Sequence, residues 1–89
     1  GNALYFLGWL EAAIASYDRA LSLKPDSPNT LYNKACCYAL QGKLELALEN
    51  LQRAVALDPH EYRTVAQTNS DFDPLRQDDR FSALLNGWN

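Results

Sequence analysis

Two adjacent cysteines, Cys36 and Cys37 in the run NKACCYALQG, and a single histidine, His60, are the residues whose types could carry chemistry in this chain. Adjacent thiols suggest a metal site, a redox pair or a disulfide, and the spacing argues against each. Neighbouring Cα atoms lie about 3.8 Å apart, short of the roughly 4.4–6.8 Å that a disulfide spans. On a helix, consecutive side chains diverge by about 100°, so the two thiols face different surroundings. A metal site needs more ligands than two thiols, and His60 is the only histidine,. That histidine follows Pro59 at a helix end, where a thiol–imidazole nucleophile pair has no support,. The chain also lacks a glycine-rich phosphate loop, a G-x-S-x-G turn and an H-E-x-x-H helix,. Glu45 and Glu49 are spaced for one solvated helix face. The expectation is a chain without enzymatic activity, cofactor or metal, in which the cysteines pack.

The elements that hold these residues must form one small domain, since the sequence has 89 residues,. A hydrophobic share of 47% with 21% charged residues is a globular balance rather than a disordered one,. The net charge is −3, and Arg19, Lys24, Lys34, Lys43, Arg53, Arg63, Arg76 and Arg80 are scattered singly. Nucleic acid and anionic lipid are therefore not expected as partners. No apolar run approaches the roughly 18 residues of a membrane span, and GNALYFLGWLEAA has no basic segment of a secretory signal,. Two cysteines make no disulfide framework, so a reducing, cytoplasmic setting is expected,.

The chain repeats itself. A shift of 34 residues aligns GWLEAAIASYDRALSLKP with GKLELALENLQRAVALDP, with eight identities in 18 positions and no gap. Gly8, Leu10, Glu11, Ala13, Arg19, Ala20, Leu23 and Pro25 meet Gly42, Leu44, Glu45, Ala47, Arg53, Ala54, Leu57 and Pro59,. In the second unit Ser27 and Pro28 suit the N-cap and first position of a helix. Leu31, Ala35 and Tyr38 (with Ala39) then recur at helical steps. Gly42 supplies a turn, Leu44, Ala47, Leu48, Leu51, Ala54 and Val55 continue the period, and Pro59 ends it. The first unit predicts the same plan: a short helix to about Leu7, a turn at Gly8, then a helix carrying Leu10, Ala13, Ile14, Tyr17, Ala20 and Leu21.

This pattern resembles the tetratricopeptide repeat, a 34-residue helix–turn–helix unit. The motif residues are Ala35, Tyr38, Ala47, Leu51, Ala54 and Pro59 in the second unit, and Gly1, Leu4, Ala13, Tyr17, Ala20 and Pro25 in the first. The likeness covers residues 1 to about 61. The opening Trp-x-x-Leu of the motif is missing from the first unit, which therefore reads as truncated; Trp9 is expected in the turn. The resemblance implies an all-α solenoid of helical hairpins: residues 1–27 as the truncated first repeat, 28–61 as the second, and 62–89 as C-terminal capping helices.

The capping segment, NSDFDPLRQDDRFSALLNG, has no 34-residue counterpart and is similar to the closing segment of many bacterial arrays of this repeat. Asp73-Pro74 reads as the start of a short turn, and Asp78 or Asp79 as the cap of a last helix ending at Gly87. Stacked units leave an apolar face open at each end, and a terminal unit must close it. Phe72, Leu75, Phe81 and Leu84 are expected to face the second repeat. At the front, Leu4, Phe6, Leu7 and Trp9 leave an apolar edge.

In stacked repeats of this kind the first helices line a concave surface. The positions that the register assigns there are Asn2, Tyr5, Phe6, Asn29, Tyr32, Asn33, Cys36, Leu40, Arg63 and Gln67, while Cys37, matched by Ala3, takes a small buried slot. Amides, aromatics and an arginine suit an extended peptide. One subset of the family grips a terminal carboxylate, and Asn2, Asn33 and Arg63 fall on three of its five positions, with Gln67 where a basic residue is expected. The function implied is a protein-interaction module that binds a peptide of a protein partner. The alternative is a structural repeat that forms a homo-oligomer through its open N-terminal edge and has no ligand of its own.

Overall fold

The computed structural model describes residues 2–86, with side chains from residue 6 onward. Among the described residues the chain is all α-helical: α1 (Asn2–Leu23), α2 (Pro28–Leu40), α3 (Leu44–Leu57), α4 (Pro59–Thr68), a 3-10 segment (Ser70–Leu75) and α5 (Asp79–Asn86). No helix is long and apolar enough to cross a membrane.

The hairpin α2–α3 forms as the spacing predicts. Pro28 opens α2, where a missing N–H costs nothing, and the Ser27 carbonyl takes the first helical bond from Leu31 at 3.0 Å,. The Ser27 hydroxyl bonds Thr30 Oγ1 at 2.9 Å instead of capping a backbone N–H. At the other end Gly42 adopts φ +78°, Gly42 N–H donates to Ala39 O at 3.0 Å, and Lys43 N–H donates to Tyr38 O at 2.9 Å. This crossed pair satisfies carbonyls that the helix end would leave bare, and it requires a residue without Cβ strain at the left-handed position.

Gly8, the counterpart of Gly42, makes no turn. It lies within α1, which is continuous from Asn2 to Leu23, so the expected break after Leu7 and the placement of Trp9 in a turn are both corrected. A turn would expose about four orphan N–H and four orphan C=O groups. In the second unit α2 has 13 residues and a further layer packed beyond it, which makes the turn worthwhile. The two glycines therefore respond oppositely to alanine. Gly8→Ala should stabilise by about 0.5–1 kcal/mol, because a mid-helix glycine is the poorer choice and a Cβ there meets nothing within 4 Å,. Gly42→Ala should destabilise by about 1–2 kcal/mol from the positive φ alone,. Thermal melts of the two variants should move in opposite directions.

One core runs through α2 to α5. Leu31, Ala35 and Ala39 of α2 meet Leu48, Leu51 and Val55 of α3, and Tyr62, Ala66, Phe72, Leu75 and Phe81 continue the same cluster. A smaller cluster joins α1 to the far side of α2 through Leu10, Ile14 and Cys37, with Ala13, Tyr17 and Tyr38 at its edge. The Lys34 ammonium, 2.5 Å from Asp18, ties the same two helices.

The tail closes the C-terminal end of the stack. Phe72, Leu75 and Phe81 are buried and Leu84 is partly so, while Arg76 pairs with Asp73 at 2.9 Å on the outside. The cap of the 3-10 segment is Asn69, whose Oδ1 accepts from Asp71 N–H at 2.9 Å, so the start is four residues earlier than Asp73-Pro74 suggested. Asp78 caps α5, its carboxylate accepting from Arg80 N–H at 2.9 Å. Arg80 also spans to Glu45 of α3, with nitrogens 2.8 and 2.7 Å from the two carboxylate oxygens. These contacts hold the Glu45 and Asp78 carboxyls below their ordinary range. The expected helix end at Gly87 lies outside the described residues.

Candidate functional site

The exposed side of α2 was expected to floor a groove, and the structure divides it into two. One side carries Tyr32 and Cys36 and is covered by the chain's own tail. The Tyr32 ring is only 9% exposed, with the Tyr62 and Phe72 rings at 5.2 and 5.6 Å between centroids. Its hydroxyl accepts from Asn69 Nδ2 at 2.8 Å, and the same amide lies 3.5 Å from Cys36 Sγ. Tyr32 is thus a core residue rather than a groove wall. The cause is the 3-10 segment, which brings Phe72 down onto α2 because no further repeat helix takes that place.

Arg63 is likewise drawn into the tail. Its Nε donates to the Leu84 carbonyl at 3.0 Å, linking α4 to α5. Gln67, one turn further along α4, is exposed,. The α1 positions behave differently again: Phe6 is exposed on the continuous helix, and the side chains of Asn2 and Tyr5 lie outside the described residues.

What remains open on α2 is a strip made by Asn29, Asn33 and Leu40, spaced to share one helix face. Asn29 and Leu40 are exposed and Asn33 is half-buried. Cys36 forms one border of the strip beside the tail, and Cys37, buried against α1, lies beyond the other. The strip offers two amides and one aliphatic surface, a combination that can bond a peptide backbone and pack one of its side chains. It holds no acid or base positioned for catalysis. Among the described residues no group of three His, Cys, Asp or Glu side chains is close enough to hold a metal ion.

The thiols are poor nucleophiles in this setting. Burial, with the Asp71 carboxylate adding to it, pushes Cys36 up to about 12, and burial likewise raises Cys37. Both stay protonated at neutral pH, and it is the thiolate that reacts. Alkylation at pH 8 should therefore be slow in the native chain and should reach both cysteines only on adding denaturant. Rapid native labelling of Cys36 would show that the tail does not stay down on α2. Asn69 is the organising residue that sequence reasoning missed. Its signal was the Asn-Ser-Asp run, whose first residue favours a side-chain turn two residues on.

Two family models match the chain, a TPR repeat over residues 1–42 and a tetratricopeptide repeat over residues 28–61. The TPR repeat-containing thioredoxin TTL4 of Arabidopsis thaliana is 42% identical over 59 residues, which is 66% of this chain and 9% of that protein. Tetratricopeptide repeat protein 36 is 36% identical over 58 residues in Caenorhabditis elegans, 65% of this chain and 32% of that protein. Its Mus musculus namesake is 38% identical over 61 residues, 68% and 33%. The chain thus spans a third or less of the relatives it matches. No solved structure matches the chain. Proteins with this repeat generally mediate protein–protein interaction. The duplication at 34 residues, the α2–α3 hairpin with its glycine turn, and repeat models that together reach from residue 1 to 61 converge on one assignment, and the chain belongs to the tetratricopeptide repeat family.

Proposed function

We propose that the chain is a non-enzymatic protein-interaction module that takes a peptide segment of a protein partner on the open strip of α2. The observation that supports this reading is the uncovered row Asn29, Asn33 and Leu40, flanked by α1 on one side and the tail on the other. A rigid helix so placed loses little entropy when a segment docks. The groove is narrower than register alone suggested, since Tyr32 is in the core and Arg63 Nε is spent on Leu84. A terminal carboxylate grip would keep Asn33 but share Arg63 with the tail, so an internal peptide segment is the better fit. The net charge of −3, with no basic run, favours a protein partner over nucleic acid or a membrane surface,. A cytoplasmic setting, the absence of a cofactor and the bacterial character of the closing segment belong to the same reading.

The test is a screen of the chain against a displayed peptide library, followed by titration of the enriched peptides. Replacing Asn33 and Leu40 together by alanine should weaken those peptides by about tenfold or more while leaving the melting temperature nearly unchanged. Enriched peptides that bind the double variant as well as the parent would place the site elsewhere.

A further inference from the structure

We infer that residues 69–75 act as an intramolecular ligand of α2, and that a partner segment with the same pattern takes their place there. The pattern is a carboxamide, an aromatic and an aliphatic residue at steps of three: Asn69, Phe72 and Leu75. In a 3-10 helix the side chains at i and i+3 eclipse, so these three share one face of the strap. That face is the one laid on the repeat. Phe72 and Leu75 are fully buried, and the Phe72 ring meets Tyr32 at 5.6 Å between centroids. Asn69 Nδ2 reaches the Tyr32 hydroxyl at 2.8 Å and Cys36 Sγ at 3.5 Å. Ser70, Asp73 and Pro74, on the other faces of the strap, are exposed.

The groups that the tail engages are ones the repeat register assigns to a ligand. Tyr32, Cys36 and Arg63 each meet the tail through a polar contact, Arg63 through the Leu84 carbonyl at 3.0 Å. The tail supplies a side-chain amide, an aromatic ring and a backbone carbonyl, all of which a partner peptide can carry. Among the described residues, Asn69 is the only one in the tail whose hydrogen bonds reach an α2 side chain. Its side chain also fixes the turn, with Oδ1 accepting from Asp71 N–H at 2.9 Å. One residue therefore starts the strap and ties it to α2.

From within, the strap is weakly supported. Pro74 has no N–H to donate, and the N–H groups of Phe72 and Arg76 reach the Asn69 and Asp73 carbonyls at 3.2 Å, the long end for such bonds,. Its outer side is stitched by exposed Arg76, which donates to Asp73 Oδ1 and to the Asn69 carbonyl, both at 2.9 Å. Tethered to α4 and α5, the strap holds its site at an effective concentration on the order of millimolar. A free peptide competes poorly with it, whereas a partner already held at Asn33 and Leu40 competes with a tether of its own. The exchange by a partner thus rests on the proposed docking at the open strip, while the site under the strap uses none of the strip's residues.

The probe is a synthetic peptide of residues 69–77, NSDFDPLRQ, with a control peptide carrying alanine at the Asn69 and Phe72 positions. At millimolar probe, amide exchange at Phe72, Arg76 and Asp78 of the intact chain should speed about tenfold or more, while α2 amides keep their rates. The Phe72→Ala chain has its site emptied. The probe at ten times its dissociation constant should raise the melting temperature of that chain by roughly 6 °C or more and slow alkylation of Cys36. If that chain is unfolded alone, the probe should refold it. Asn69→Ala keeps the ring and only loosens the strap, so this chain should bind the probe more tightly than the parent. Each result should persist with Asn33 and Leu40 replaced by alanine, so failure of the strap and failure of the open strip are read separately. Strap amides unmoved by the probe in the intact chain, or a control peptide as effective as the probe, would overturn the proposal.

Discussion

Phe72→Ala should cost about 3–5 kcal/mol of stability, the usual loss for emptying a buried phenylalanine site. Phe72 is fully buried between Tyr32, at 5.6 Å, and Phe81, at 5.8 Å, and so bolts the tail to both α2 and α5. No neighbouring side chain is free to collapse into the gap, because Tyr32 is held by Asn69 and by the Tyr62 ring. Domains of this size are stable by roughly 5–15 kcal/mol, so the loss takes a large share of the total. The melting temperature should fall by roughly 12 °C or more. The variant should also expose Cys36 to alkylation, because the tail that shields it is no longer anchored. A loss below about 1 kcal/mol would mean that the aromatic tail is an appendage rather than part of the core.

The second large effect is a contrast between two alanines that the repeat makes equivalent. Ala54→Leu should destabilise by about 1–3 kcal/mol, since added methylenes have no room in a filled core. Ala20→Leu, measured at concentrations where the chain is monomeric, should stay within about 0.5 kcal/mol, as expected of a surface change. Ala54 is fully buried among α2, α3 and α4, whereas Ala20 is exposed. Denaturant titration of both variants decides the matter. Equal and large losses would show that residues 1–7 do fold back over α1 and close the first unit.

The repeat, the all-α class and the α2–α3 hairpin were legible because each rests on short-range constraints. Helical period, Pro28 at a helix start and Gly42 at a left-handed turn act within a few residues of one another. The buried role of Cys37 was legible for a related reason: its counterpart Ala3 marked a small slot. The tail was readable in part, its apolar residues standing out from its charged ones, but the capping residue was misplaced from Asn69 to Asp73. Asn69 is fixed as much by its contact with Tyr32, 37 residues away, as by its neighbours.

Ten candidate groove residues came from register alone, and register carries the assumption that every unit is surrounded in the same way. By itself the sequence determined the all-α class, the 34-residue repeat, where α2 and α3 turn, and that Cys37 packs. It did so through local geometry, which does not depend on what lies across the fold. Only the tertiary structure decided that Gly8 stays helical, that the 3-10 segment covers Tyr32 and Cys36, and that Arg63 Nε is spent on the Leu84 carbonyl. Those outcomes depend on whether a neighbouring layer is present to bury a face. Gly8 and Gly42 are the same residue at the same place in the repeat, and only Gly42 takes the left-handed turn, with a packed helix on either side of it.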